Sequence, residues 1–143
     1  MAGDTRKLKR DDDERTASQE ITTIDRGMPR PWRIALRIMH QDNRMILDLN
    51  GPMMIGRMVP ESNIFPDIDL GPYNAEELGV SRQHLILQLD GERIVAVDND
   101  SANGTLINDS RMVPNEPYPI RDGDVLKLGL MAIKIELLMN PFV

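Results

Sequence analysis

The chain contains no cysteine, few aromatic residues and only two histidines. Aromatic residues make up 3% of its 143 residues, so a hydrophobic core must rest on Ile, Leu, Val and the 10 Met. Without cysteine there is no disulfide, thiolate nucleophile or Cys-based zinc site, which fits a reducing compartment. The histidines, His40 and His84, are far apart in sequence, and the pattern does not indicate a metal site. We therefore predict no metal and no other cofactor.

Long apolar runs and a basic charge balance are also missing. No stretch approaches the length of a membrane span, and the charged N-terminus lacks the apolar region of a signal peptide. Residues 32–143 carry ten Lys/Arg against sixteen Asp/Glu, and the chain has a net charge of −6. Because nucleic acids and anionic membranes require a basic footprint, neither is expected as a partner. We predict a cytoplasmic protein in which any anion site is local.

The first 31 residues have little to bury. Their apolar side chains, Leu8, Ile21, Ile24 and Met28, are scattered among charged and small polar residues. Such a segment cannot offset the entropy of ordering its backbone. We predict that residues 1–31 form a disordered tail ending in a linker, and that residues 32–143 form one domain.

From Trp32 onward, hydrophobic residues alternate with polar ones in short stretches. Ile34, Leu36 and Ile38 show this period-two pattern, which predicts β-strands. Roughly ten such stretches are separated by turn residues, a spacing typical of a sandwich or barrel. Asn50-Gly51 is interpreted as a hairpin turn. Residues 75–78 could form a helical turn closed by Gly79. The pattern predicts an all-β fold.

Three polar stretches lie at the ends of predicted strands. They are Ile55-Gly56-Arg57, Gly79-Val80-Ser81-Arg82-Gln83-His84 and Ser101-Ala102-Asn103-Gly104-Thr105. In a sandwich the end loops carry function, and loops from one side can converge. We interpret the three stretches as one pocket for a phosphate on another polypeptide.

For each candidate residue, the side-chain chemistry suits ligand binding, but a role unrelated to binding is also open. The Arg57 guanidinium is a planar donor array that matches two phosphate oxygens, and Ser81 offers a hydroxyl donor. Arg82 could add a second positive charge. Asn103 carries both an amide and a carbonyl, so it can pair with a peptide backbone in both directions. Taken singly, these residues are better explained as solvated arginines, a turn serine and an ordinary Asn-Gly turn.

The remaining members of the three stretches are predicted to be structural. Gly56 would allow close approach of the backbone, and Gly104 would supply a positive φ. His84 begins an apolar strand, so we expect a partly buried imidazole that holds the site in shape and takes no part in catalysis.

In combination and order, the three stretches closely resemble a forkhead-associated (FHA) domain over roughly residues 33–138. The resemblance includes the closing pattern Ile120-Arg121-Asp122-Gly123-Asp124-Val125-Leu126-Lys127-Leu128-Gly129. It implies an eleven-stranded β-sandwich that binds phosphothreonine peptides in Ser/Thr kinase signalling. It also implies that Arg57, Ser81 and Arg82 hold the phosphate, that Asn103 bonds the peptide main chain, and that Gly56 and His84 are architectural.

Two features depart from the family pattern. Ala102 stands where many members carry Ser or Thr, which removes a hydroxyl from the phosphate region, and the 71–80 connection is longer than the minimum. The resemblance implies a preference for phosphothreonine over phosphoserine, because the extra methyl group fills a small apolar hollow.

Thr22 and Thr23 in the predicted tail are candidate phosphoacceptors. They resemble the phosphorylatable threonine pair that precedes the domain in a group of small bacterial FHA proteins. Asp25 is the third residue after Thr22, a position at which FHA domains usually select. We hypothesise that a Ser/Thr kinase modifies one of the pair and that the phosphorylated tail then occupies its own domain.

Two other classes of function compete with this interpretation. An enzyme is not expected, because no thiol, paired carboxylates with a base or phosphate-cradling glycine loop is visible. Asp98 and Asp100 could bind a divalent cation, although acidic turns usually stay solvated. The other alternative is a phosphate-independent protein-interaction scaffold that uses an acidic sheet face.

Overall fold

The computed structural model describes residues 31–142 and confirms the predicted all-β sandwich. The described residues form eleven strands: β1 Trp32–Ile38, β2 Asn43–Leu49, β3 Met53–Gly56, β4 Ile68–Asp69, β5 Gln83–Asp90, β6 Arg93–Asp98, β7 Thr105–Ile107, β8 Ser110–Arg111, β9 Pro117–Pro119, β10 Val125–Leu128 and β11 Met131–Met139. The tail predicted for residues 1–31, with Thr22 and Thr23, lies outside the described residues except for Pro31.

The strands are arranged in two sheets. One has the order β9-β6-β5-β3-β4, and the other has the order β2-β1-β11-β10-β7-β8. Neighbouring strands are antiparallel except for β3 and β4, which are parallel. Within residues 31–142, the helical segments are three-residue 3-10 turns, and no helix there is long and apolar enough to cross a membrane.

The core lies between the sheets and follows the alternation seen in the sequence. Ile34, Leu36 and Ile38 of β1 are fully buried, as are Leu85 and Leu87 of β5. Burying a Leu or Ile side chain contributes about 1.5–3 kcal/mol, so these positions dominate the stability of the domain. This core makes the sandwich a rigid support for the loops at its ends.

The prediction of a hairpin at Asn50-Gly51 is wrong. β2 pairs with β1, whereas β3 pairs with β4 and β5 in the other sheet. Asn50 and Gly51 therefore carry the chain between sheets, because the same turn residues suit a hairpin and an inter-sheet corner. A single turn is present at the expected residues 75–78: the Leu78 amide donates to the Asn74 carbonyl, and Gly79, which closes the turn, has φ +82°.

One strand was absent from the sequence prediction. Pro117–Pro119 pairs with β6 at the edge of the five-stranded sheet, in register with Val95 and Val97. Proline cannot donate to a ladder, so it is found in edge strands and weakens any strand signal. Its place was decided by packing against β6.

Several strand ends meet on one side of the sandwich. Gly56 pairs with Gln83, Leu85 pairs with Asp98, and Leu128 pairs with Thr105. The loops at this end include residues 57–67, 70–82, 99–104 and 129–130, and we call these four segments the rim. The three polar stretches are therefore on the same side of the molecule.

Candidate functional site

Arg57 is held at the rim by its own backbone and by one side-chain nitrogen. Its amide donates to the Arg82 carbonyl at 3.0 Å, and Nε donates to the Val80 carbonyl at 2.6 Å. Among the described residues, Nη1 and Nη2 have no hydrogen-bond partner, so four N–H donors remain for a ligand. Gly56 permits this arrangement, because a Cβ at Gly56 would lie 1.9 Å from the Arg82 oxygen.

Ser81 connects the second rim loop to the third. Its amide donates to His84 Nδ1 at 2.9 Å, and its Oγ accepts from the Ala102 amide at 2.9 Å. The bond from Ala102 fixes the position of Oγ and leaves the Ser81 hydroxyl proton available to donate. The backbone of Ala102 thus positions the serine even though its side chain carries no hydroxyl.

His84 is completely buried beneath the rim, whereas the sequence predicted partial burial. Because Nδ1 accepts from Ser81, the proton is on Nε2, which lies 3.1 Å from both the Gly104 carbonyl and Thr105 Oγ1. Burial lowers the pKa of His84, more than the hydrogen bond to Gly104 and the carboxylate of Asp98 raise it. This neutral ring, bonded to two loops, fits the structural role predicted for it.

Asp98 does not fit the expectation of a solvated acidic turn. It is 1% exposed, and its Oδ1 accepts from the hydroxyls of Ser101 and Thr105 at 2.6 Å each. Its Oδ2 accepts from the Ser101 amide at 3.1 Å. Burial by itself would raise the pKa of Asp98, but the hydrogen bonds from Ser101 and Thr105 outweigh it and lower the pKa. The spacing of Asp98, Ser101 and Thr105 was the sequence signal that could have revealed this cluster.

Asn103 is exposed at the centre of the rim. Its Nδ2 donates to the Gly79 carbonyl at 2.9 Å, and within residues 31–142 its Oδ1 has no partner. Gly104 has φ +83°, as predicted, and its amide donates to Ser101 Oγ at 2.9 Å. Asn103 therefore keeps an acceptor and a second N–H for a ligand backbone.

A cavity of about 430 Å³ opens beside Asn103. It is lined by Glu77, Leu78, Gly79, Asn103, Gly129 and Leu130. Leu130 is 67% exposed at the turn between β10 and β11, and its amide donates to the Leu78 carbonyl at 2.7 Å. No sequence signal predicted this cavity, because its walls are distant in the chain.

The two arginines of the rim differ from most other arginines of the domain in how their charge is paired. Four arginines outside the rim are paired with carboxylates: Arg33 with Asp48, Arg37 and Arg44 with Glu136, and Arg93 with Asp90. In the part of the chain that the structure describes, the guanidinium groups of Arg57 and Arg82 form no such pair. A local site for an anion is therefore available in an acidic domain.

The fold and the rim define a β-sandwich interaction domain with its candidate site on end loops, and comparisons with known proteins identify the family. The FHA domain family model matches residues 53–129, more than half of the chain. The chain belongs to the FHA domain family, which confirms the resemblance seen in the sequence. FHA domains are interaction modules that bind phosphothreonine peptides in signalling.

Two bacterial relatives illustrate the similarity. FraH from Nostoc is 29% identical over 113 residues, which cover 75% of this chain and 39% of FraH. FhaA from Mycobacterium tuberculosis is 33% identical over 76 residues, which cover 53% of this chain and 14% of FhaA. The chain thus spans less than two fifths of the length of these relatives.

Solved structures show the same fold. One comes from a study of phosphothreonine-dependent FHA domain interactions; it has a TM-score of 0.57 and 27% identity, and covers 75% of this chain and 98% of its own. Another is the FhaA FHA domain in complex with the intracellular domain of Rv3910, with a TM-score of 0.55 and 27% identity. That match covers 72% of this chain and 99% of the other.

Proposed function

We propose that this protein binds phosphothreonine-containing proteins through the rim. The observation that carries the proposal is that Arg57 and Ser81 are anchored next to each other, Arg57 by the Val80 carbonyl and Ser81 by the Ala102 amide. The guanidinium of Arg57 is anchored 2.6 Å from the Val80 carbonyl, and the hydroxyl of the next residue, Ser81, is fixed by Ala102 at 2.9 Å. Both side chains therefore present free donors to the same region, as a tetrahedral anion requires.

The residues divide into two roles. Arg57 and Ser81 hold the phosphate, and the exposed Arg82 adds positive charge to it. Asn103 bonds the main chain of the peptide through its side-chain Oδ1 and through the second N–H of Nδ2, which the bond to Gly79 does not use. Charge-assisted hydrogen bonds of this kind are roughly twice as strong as neutral ones, so the phosphate supplies most of the affinity.

The proposed binding site also bears on the location, activity and partners of the protein. The binding domain comprises residues 32–143 and acts in the cytoplasm as a non-enzymatic module without a cofactor. Its ligands are substrates of a Ser/Thr protein kinase. No role for nucleic acid or a membrane is needed, because the domain carries more Asp/Glu than Lys/Arg.

Calorimetry with matched peptides tests this function. We expect the full chain to bind members of a degenerate phosphothreonine peptide library, and the unphosphorylated library to bind at least about 100-fold more weakly, since the charge-assisted bonds are lost. Phosphoserine versions should bind more weakly than phosphothreonine versions. Equal binding of phosphorylated and unphosphorylated peptides would refute the proposal.

We further propose that the phosphorylated tail occupies the rim of its own domain. Thr22 or Thr23 is the phosphoacceptor, and tethering gives the tail an effective concentration in the millimolar range. Mass spectrometry after kinase treatment should find phosphate on one of the two. The modified chain should then bind an external phosphopeptide at least about tenfold more weakly, because the tethered tail competes for the rim.

The Thr22→Ala, Thr23→Ala double variant is the control for this switch. After the same treatment it should bind external peptide as tightly as the untreated protein. If the phosphorylated wild-type chain retains full affinity, the switch is wrong, although phosphopeptide binding by the rim would still stand.

A further inference from the structure

Arg111, which the sequence analysis did not single out, lies against the backbone of the rim at Gly104. It is the last residue of β8, and its side chain reaches Gly104. A Cβ placed on Gly104 would lie 2.6 Å from Nη2 and 2.9 Å from Cζ of Arg111. The guanidinium therefore occupies the space that any other residue at position 104 would fill with its own side chain.

The charge of Arg111 has no partner among the described residues. No carboxylate there lies within ion-pairing distance of it, whereas Arg33, Arg37, Arg44 and Arg93 each have at least one. The residue is exposed. An exposed cation against the Asn103–Gly104 turn is therefore available to a negatively charged ligand group.

The sheet order places Arg111 on a particular side of the site. Strand β7, which Gly104 precedes, lies between β10 and β8 in the sheet. The Gly129-Leu130 turn at the end of β10 is therefore on one side of Gly104, and Arg111 of β8 is on the other. A peptide bonded to Asn103 thus has the cavity along one flank and Arg111 along the other. The two flanks differ in chemistry, since the cavity is bordered by Leu78, Leu130 and Glu77.

We propose that Arg111 is a specificity-determining residue that pairs with an acidic side chain of the bound phosphopeptide. That side chain lies on the opposite side of the phosphothreonine from the residue that faces the cavity. This inference rests on the proposed function and adds a preference for flanking Asp or Glu. Arg111 is a second recognition point, separate from the phosphate contacts of Arg57 and Ser81.

Matched peptides provide the test. A phosphothreonine peptide is varied from Gln to Glu, one flanking position at a time, and its affinity is measured for wild type, Arg111→Gln and Arg111→Lys. We expect Glu to bind about two- to fivefold tighter than Gln at one or more positions on a single flank, as for other exposed ion pairs. Arg111→Gln should abolish this preference, and Arg111→Lys should retain part of it. The preference should weaken at high salt.

Arg121→Gln is the control, because Arg121 also lacks an ion pair within residues 31–142 and lies in the loop before β10, at the opposite end of that strand from Gly129. It should keep the wild-type preference. If Arg111→Gln weakens the Glu and Gln peptides equally, or if wild type shows no preference, the inference fails while phosphopeptide binding stands. If wild type binds no phosphothreonine peptide at all, both proposals fail.

Discussion

Replacing Arg57 with alanine should raise the dissociation constant for a phosphothreonine peptide at least about 30-fold. Removing one partner of a desolvated, hydrogen-bonded charge pair costs about 2–5 kcal/mol, and each tenfold in affinity is about 1.4 kcal/mol. The fold should survive, because the Arg57 side chain makes a single hydrogen bond to Val80 among the described residues. Calorimetry and thermal unfolding of the same sample separate the two effects.

Two variants sharpen this prediction. Arg57→Lys keeps the charge and loses the planar fork, so its affinity should fall between wild type and Arg57→Ala. Arg93→Ala removes an exposed arginine, paired with Asp90 at the far end of β6, and should leave binding unchanged. Unchanged binding of Arg57→Ala to a physiological partner would favour the scaffold that uses an acidic sheet face.

Replacing Gly56 with alanine should disrupt both the fold and the site. The new Cβ would lie 1.9 Å from the Arg82 carbonyl oxygen, which is a backbone atom and cannot rotate away. The strands β3 and β5 would have to separate, and the bond from the Arg57 amide to Arg82 would lengthen. We expect the free energy of unfolding to fall by about 3 kcal/mol, at the upper end for overpacking, with loss of phosphopeptide affinity.

Gly51→Ala is the matched control, since a Cβ there has no atom within 4 Å. Its free energy of unfolding should stay within about 0.5 kcal/mol of wild type in urea denaturation. A Gly56→Ala variant as stable as the Gly51→Ala variant would show that the approach of β3 to residue 82 is not essential.

The rim is held in shape before any ligand arrives. A chain of hydrogen bonds runs from the Ser81 amide through His84 and Thr105 to the buried carboxylate of Asp98. Fixing Ser81 and the 99–104 loop in advance lowers the entropy lost when a ligand orders them. The lowered pKa values of His84 and Asp98 keep the ring neutral and the carboxylate charged, as this network requires.

The sequence by itself predicted most of the strands and the residues of the candidate site. Alternating apolar residues such as Ile34, Leu36 and Ile38 predict strands because the side chains of a strand alternate between two faces. Arg57, Ser81 and Asn103 stand at strand ends, and their donor groups indicate an anion and a peptide backbone. These inferences depend on local periodicity and side-chain chemistry, which are written in the order of the residues.

Tertiary structure alone decided how distant segments meet. It carried Asn50-Gly51 between two sheets, buried Asp98, assembled the cavity at Leu130 and placed Arg111 against Gly104. Each of these features depends on contacts between residues far apart in the chain or on burial, and no local pattern encodes them. The flank of the site on which Arg111 lies follows from strand order, which the packing of the two sheets determines.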